Sequence, residues 1–119
     1  MDEEILDLTA CIPSGKEFKV GNKTYTVIFN YRALKALEKQ YGTVQAALDA
    51  FWDRSNIYDN VLNFLYAALG EAYKLKKTDI EEWITLSTVN ILHDLIFDAL
   101  IGAFGQSSDA DSDAVEGEA

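Results

Sequence analysis

A short hairpin that leads directly into a capped helix constrains the fold of this chain more than any other feature. Gly21 and Asn22 separate two stretches, residues 17–20 and 23–29, in which polar and apolar side chains alternate. Alternation with a period of two is typical of a strand with one buried face, and Gly-Asn suits a tight turn. The sequence therefore predicts a β-hairpin over residues 17–29. Two strands alone are marginal in water, so the hairpin must pack against helices or gain a third strand.

Helical signals follow the hairpin. Asn30 is a good N-cap, and Gly42 favours the left-handed conformation in which helices commonly end. Thr43 can cap a second helix, and Thr78 with Glu81 forms a T-x-x-E capping box. Together with the spacing of apolar residues, these signals predict helices at about 31–41, 43–53, 57–74, 79–84 and 88–104. The predicted fold class is α+β, mainly α: an N-terminal β-hairpin followed by a bundle of four to five helices.

The third predicted helix is apolar almost all the way round, with Val61, Leu62, Phe64 and Leu65 near its start. A helix of that kind is normally central and buried. We therefore predict that Leu65 and Leu69 are fully buried.

Acidic residues are concentrated at the two ends of the chain. The formal net charge is −10, and nine of the 20 acidic residues lie within residues 2–7 and 109–118. We predict an acidic, partly ordered segment over residues 1–14 and a single globular domain over residues 15–105. Residues 106–119 lack large apolar side chains, which predicts a disordered terminus. The negative charge does not suit binding to a nucleic acid backbone, which needs clustered Lys and Arg.

The sequence predicts a cytosolic protein. No apolar run approaches the roughly 20 residues needed to span a bilayer. The first residues are acidic, where a signal peptide is basic. The single cysteine, Cys11, cannot form an internal disulfide.

No residue pattern predicts an enzyme, a cofactor site or a metal site. His93 is the only histidine, and its neighbour Asp94 does not face it on a helix, so we predict a surface or helix-flank histidine. Cys11 lacks a sequence-local base. Asp109, Asp111 and Asp113 resemble the start of a calcium loop, but the glycine that such a loop needs is absent. Phosphate-binding loops and paired cysteines are also absent.

Aromatic residues offer candidates for protein contact. Most fall at helical spacings that suit core packing. Phe51 with Trp52, and Ile101 with Phe104, lie near predicted helix ends, where burial is least complete. Exposed apolar patches mark interaction sites. These four residues are therefore our candidates for partner binding.

Three segments between about Val20 and Phe104 resemble the tail assembly chaperones of long-tailed (siphovirus-type) bacteriophages and prophages. They read G-N-K-T-Y-T-V, then F-N-Y-R-A-L-K-A-L-E-K-Q-Y-G, then T-D-I-E-E-W-I before a final helix. The resemblance implies a non-enzymatic protein of the host cytoplasm that binds the tape measure protein and assists recruitment of tail-tube subunits. It also implies absence from the mature virion.

Other classes remain open from the sequence. One is a small acidic adaptor of antitoxin type, and another is an inhibitor that mimics DNA. A DNA mimic needs acidic residues on a rigid face, whereas here nearly half of them lie in the two ends. The oligomeric state, including a homo-oligomer, also stays open.

Overall fold

The structure is a computed structural model, and it describes residues 15–103. Its elements are β1 (Lys16–Val20), β2 (Lys23–Val27), α1 (Tyr31–Tyr41), α2 (Val44–Trp52), a 3-10 turn (Arg54–Asn56), α3 (Ile57–Tyr73), α4 (Lys77–Glu81) and α5 (Val89–Ala103). Among the described residues, helix accounts for 67% and strand for 11%. This confirms the predicted α+β class, mainly α, with a hairpin before the helices. The predictions for residues 1–14 and 106–119 lie outside the described residues.

The hairpin is antiparallel; β1 begins one residue earlier than predicted, and β2 is shorter than predicted. Phe18 lies opposite Tyr25, and Val20 lies opposite Lys23 across the turn. Gly21 adopts a φ of 63°, as a turn with glycine at its first central position requires. β2 ends at Val27 rather than at residue 29, although residue 29 is still buried.

The predicted caps of the first two helices are confirmed. The Asn30 side chain accepts a hydrogen bond from the backbone N–H of Ala33 at 3.1 Å. Thr43 does the same for Ala46 at 2.9 Å. Gly42 ends α1 with a φ of 97°, and its N–H donates to the carbonyl of residue 38. Each cap satisfies backbone groups that helix ends leave unpaired.

α3 is the central element of the described chain. It packs against the other four helices and against β2. Its buried residues include Val61, Phe64, Leu65 and Leu69, all with no exposed surface. The prediction that Leu65 and Leu69 are fully buried is confirmed.

α4 differs from its prediction at both ends. The capping box at Thr78 and Glu81 is wrong: the N-cap is Lys76, whose backbone N–H donates to the Asp79 carboxylate at 2.8 Å. The helix ends at Glu81 rather than at residue 84, and Trp83 lies in the turn that follows. Outside the helix, the Trp83 ring packs on the hairpin, where it contacts the rings of Phe18 and Tyr25. The other predicted helix boundaries agree with the structure to within one residue.

Candidate partner-binding surface

The four residues predicted to bind a partner differ in their exposure to solvent. Trp52 and Ile101 are 44% and 43% exposed. Phe51 has no exposed surface, so its assignment as a contact residue is corrected: it belongs to the core. The fourth, Phe104, lies outside the described residues. Among the described residues, partner contact therefore stays a prediction for Trp52 and Ile101.

A residue that the sequence analysis left among the core aromatics joins this surface. Phe97 of α5 is 41% exposed, and its ring contacts that of Trp52 edge to face, with ring centroids 5.5 Å apart. Ile101 lies four residues after Phe97, on the same face of the helix. We call Trp52, Phe97 and Ile101 the α2–α5 patch. The spacing of Phe97 and Ile101 was the sequence signal that could have identified Phe97.

The patch rests on a stacked pair of buried rings. Phe51 and His93 lie parallel, with centroids 4.1 Å apart and planes 2° from each other. Phe51 also contacts Phe64 of α3 at 4.8 Å and its neighbour Trp52 at 5.3 Å. The floor of the patch is therefore part of the core, which fixes the position of the exposed rings above it.

His93 is a core residue, and the prediction of a surface or helix-flank histidine is wrong. Its side chain is 6% exposed because it packs on Phe51. Nη1 of Arg54 lies 3.1 Å from Nδ1 of His93, and a guanidinium can only donate, so Nδ1 is the acceptor. The ring proton then sits on Nε2, which lies 3.4 Å from the Phe51 carbonyl oxygen.

Burial holds His93 in its neutral form. It lowers the pKa of the ring below the usual 6.5, and the Arg54 cation lowers the pKa further. The hydrogen bond to Phe51 and the Asp94 charge oppose that shift. Arg54 also donates to the Asn90 side chain at 2.6 Å. The 3-10 turn after α2 is thus tied to two successive turns of α5, which fixes how the two halves of the patch meet.

A buried amide fixes the end of α2 from the opposite side. Asn60 of α3 donates to the carbonyl of Ala50 at 2.9 Å and accepts from the Tyr41 hydroxyl at 2.7 Å. Burial raises the pKa of Tyr41, so this hydroxyl stays protonated and remains a donor. The backbone that carries Trp52 is therefore held by side-chain hydrogen bonds on two sides.

The charged groups beside the patch are mostly acidic. Asp94 and Asp98 are exposed on α5 and lie three residues before Phe97 and Ile101, respectively. Asp49 lies three residues before Trp52 on α2, at the spacing of helical neighbours. Neither α2 nor α5 contains a Lys or Arg. The patch is therefore apolar at its centre and negative at its rim.

A second surface, between α1 and α3, is different in character. A shallow depression of about 600 Å³ is lined mainly by charged side chains, among them Arg32, Lys35, Glu38 and Glu71. Lys35 pairs with Glu38 at 2.6 Å, and Arg32 lies 4.0 Å from Glu71. Two of its three cations lie beside acidic groups and Lys39 adds one positive charge, so this depression is charged where the α2–α5 patch is apolar.

Residues 15–103 contain neither a helix suited to cross a membrane nor a cluster of side chains suited to hold a metal ion. No helix in that range has the length and hydropathy needed to cross a bilayer. The same range contains no group of three or more His, Cys, Asp and Glu side chains placed to hold a metal ion. The α2–α5 patch is the candidate site because it groups exposed apolar side chains around a direct ring contact.

Comparisons of the chain with protein-family models, with curated proteins and with solved structures found no match. What the chain offers for function is therefore judged from its own residues. Within the described range, these offer an apolar patch with an acidic rim.

Proposed function

We propose that this protein is a non-enzymatic tail assembly chaperone, which binds a helical segment of a phage tape measure protein and assists recruitment of tail-tube subunits. Two lines support the proposal. One is the resemblance of the hairpin, first helix and T-D-I-E-E-W-I segments to that family. The other is the α2–α5 patch, which supplies exposed apolar surface of the kind that proteins use to bind one another.

The exposure of the Trp52–Phe97 pair carries the proposal on the structural side. Two large aromatic side chains are each more than two-fifths exposed although they contact one another. Aromatic residues often dominate the energy of an interface. Their rigid floor adds to this, because preorganised side chains lose less conformational freedom on binding. An amphipathic helix laid across α2 and α5 would cover both rings together with Ile101.

Co-expression with the tape measure protein tests the proposal. Wild-type protein carrying an affinity tag should co-purify the tape measure protein, and Trp52→Glu or Phe97→Glu should abolish this while helical circular dichroism is retained. The matched control is Tyr31→Glu, because Tyr31 is an aromatic residue of α1 that is 77% exposed and does not belong to the patch. This control should bind as wild type does.

Two outcomes would overturn the proposal. If both patch variants still co-purify the tape measure protein at wild-type levels, the patch is not the interface. If the wild-type protein retains no tail component but holds a nuclease or a toxin, the function is that of the acidic inhibitor or adaptor instead.

A further inference from the structure

The α2–α5 patch combines an apolar centre with charge of one sign, and this combination specifies what can cover it. Asp49, Asp94 and Asp98 lie one helical turn from Trp52, Phe97 and Ile101, respectively. Arg54 is the one cation of the segment between α2 and α3, and its guanidinium is already engaged with α5. Those hydrogen bonds go to neutral groups, so the Arg54 charge remains. Asp53, next to Trp52, adds a fourth carboxylate, and four carboxylates against one cation leave the surroundings of the patch negative.

We propose that the occupant of the patch is an amphipathic helix whose apolar stripe is flanked by Lys or Arg side chains. The inference rests on the proposed function, because it names the chemistry of the tape measure segment that would bind. An apolar stripe covers Trp52, Phe97 and Ile101, while flanking cations reach Asp94 and Asp98 along α5. Helix-in-groove recognition of this kind reads apolar anchors at successive turns.

A second copy of the chain is a poorer occupant. A two-fold interface brings the same surface of both copies together. Across this patch it would place Asp94 and Asp98 of one protomer near the same residues of the other. Each protomer has a single cation, Arg54, in α2, α5 and the turn after α2 to set against them. Like charges brought together at an interface oppose association.

Anionic surfaces fit no better. A membrane leaflet rich in acidic lipids attracts basic segments, and the nucleic acid backbone is recognised chiefly by Lys and Arg. The carboxylates around the patch would repel both. A basic-flanked protein helix satisfies the apolar centre and the acidic rim together.

The flanking charges should act mainly on selectivity. Exposed ion pairs add little to affinity, but charge complementarity suppresses wrong partners and speeds encounter. Binding should therefore weaken as salt is raised, because screening acts on exposed charges.

The experiment uses two designed peptides with the same apolar stripe, one flanked by Lys and the other by Glu. Each has on the order of 20 residues, since shorter isolated helices are marginal in water. Binding to the full-length protein is followed by the fluorescence anisotropy of a label on the peptide. The wild-type protein should bind the Lys-flanked peptide roughly tenfold more tightly than the Glu-flanked peptide at low salt.

Charge reversal provides the decisive variant. The double variant Asp94→Lys, Asp98→Lys should reverse the preference and bind the Glu-flanked peptide more tightly. The matched control, Glu81→Lys with Glu82→Lys, makes the same change in net charge at the end of α4. It should keep the wild-type preference, so that a reversal confined to α5 reports local charge rather than net charge.

Specific outcomes overturn the inference. Equal binding of the two peptides by the wild-type protein contradicts a role for the acidic rim, and so does a reversal in the control. Dimeric wild-type protein that becomes monomeric on Phe97→Glu substitution, measured by sedimentation, would identify a second copy as the occupant.

The same assays separate this inference from the proposed function. If the tape measure protein co-purifies but the peptides are not distinguished, the inference fails alone. If the Lys-flanked peptide is preferred but no tail component co-purifies, the proposed partner is wrong while the chemistry of the patch stands.

Discussion

Among the aromatic residues of the described chain, two groups differ in how completely they are enclosed. The first, which we call the hairpin cluster, consists of Phe18, Tyr25, Tyr73 and Trp83. Tyr25 contacts all three others, with ring centroids 5.7 Å from Phe18, 5.0 Å from Tyr73 and 4.9 Å from Trp83. The second group is the α2–α5 patch, in which the rings of Trp52 and Phe97 contact each other but remain open to solvent.

Whether an aromatic residue of this protein lies in the core or at the surface depends on how many elements surround it and not on its residue type. In the hairpin cluster the rings come from β1, β2, α3 and the turn after α4 and surround Tyr25, which is only 6% exposed. They attach the two-stranded hairpin to the helices, as its marginal stability requires. In the patch, the stacked rings of Phe51 and His93 already complete the core underneath. Trp52 and Phe97 are therefore not needed to close it.

The largest expected effect is on the hairpin cluster. Tyr25→Ala removes the ring that all other members of the cluster contact, and it leaves a cavity between the hairpin and α3. We expect a loss of about 3–5 kcal/mol in the free energy of unfolding, measured by urea denaturation.

Phe97→Ala is the matched change in the patch. Because this ring is 41% exposed and the core beneath it stays intact, we expect the change to lower the free energy of unfolding by only about 1–2 kcal/mol. A loss as large as that of Tyr25→Ala would remove the contrast between the two groups and show that Phe97 is a core residue.

A smaller effect is expected at the edge of the hairpin. The backbone N–H of Thr26 donates to the Tyr73 hydroxyl at 3.0 Å, which joins β2 to the end of α3. Tyr73→Phe keeps the ring and removes this acceptor, so we expect a loss of about 0.5–1.5 kcal/mol. Amide hydrogen exchange at Thr26 should become faster. Unchanged exchange there would mean that the hydroxyl does not protect this edge.

The smallest effect concerns the floor of the patch and depends on pH. The pKa of His93 is lower in the folded protein than its usual 6.5, so below that pH the unfolded chain binds more protons. The stability that the neutral ring contributes is fully present above about pH 6.5 and is lost as the pH falls towards the lowered pKa.

His93→Gln serves as the control for that measurement. Glutamine can accept from Arg54 and donate to the Phe51 carbonyl, but it does not titrate. Between about pH 7 and about pH 5, the free energy of unfolding should fall less steeply in the variant than in the wild type. Equal slopes would contradict titration of His93 as the cause.

The sequence was sufficient to predict those features that depend on residues close together along the chain. The caps at Asn30 and Thr43 and the turn at Gly21 are each recognisable within a few residues, and all three are confirmed. The burial of Leu65 and Leu69 followed from the apolar circumference of α3. The capping of α4 was predicted two residues too late, because Asp79 and Glu81 offer competing carboxylates and the sequence does not show which reaches back.

The site was less predictable because it depends on contacts between distant segments. His93 is buried since it meets Phe51, a residue of another helix, and no local pattern indicates that pair. Phe51 and Trp52 were assigned together although adjacent helical positions point in different directions, and the structure buries one and exposes the other. Phe97 falls at a spacing that suits a core residue as well as a surface residue. Only a contact between distant segments, that of the Phe97 ring on α5 with the Trp52 ring on α2, distinguishes the core position from the surface position.

The stacking of Phe51 on His93 should couple the binding of any partner at the patch to the folding of α5. The patch exists only while α5 is docked on α2, so a partner that spans both helices binds the docked state and not a state in which α5 has come away. Such a partner stabilises the docked state in proportion to its own affinity and concentration. Amide exchange along α5 should therefore slow as the partner is added, whereas exchange that requires only local opening of the hairpin should not change. The α2–α5 patch is therefore complete only when the last helix of the described chain has packed on the core.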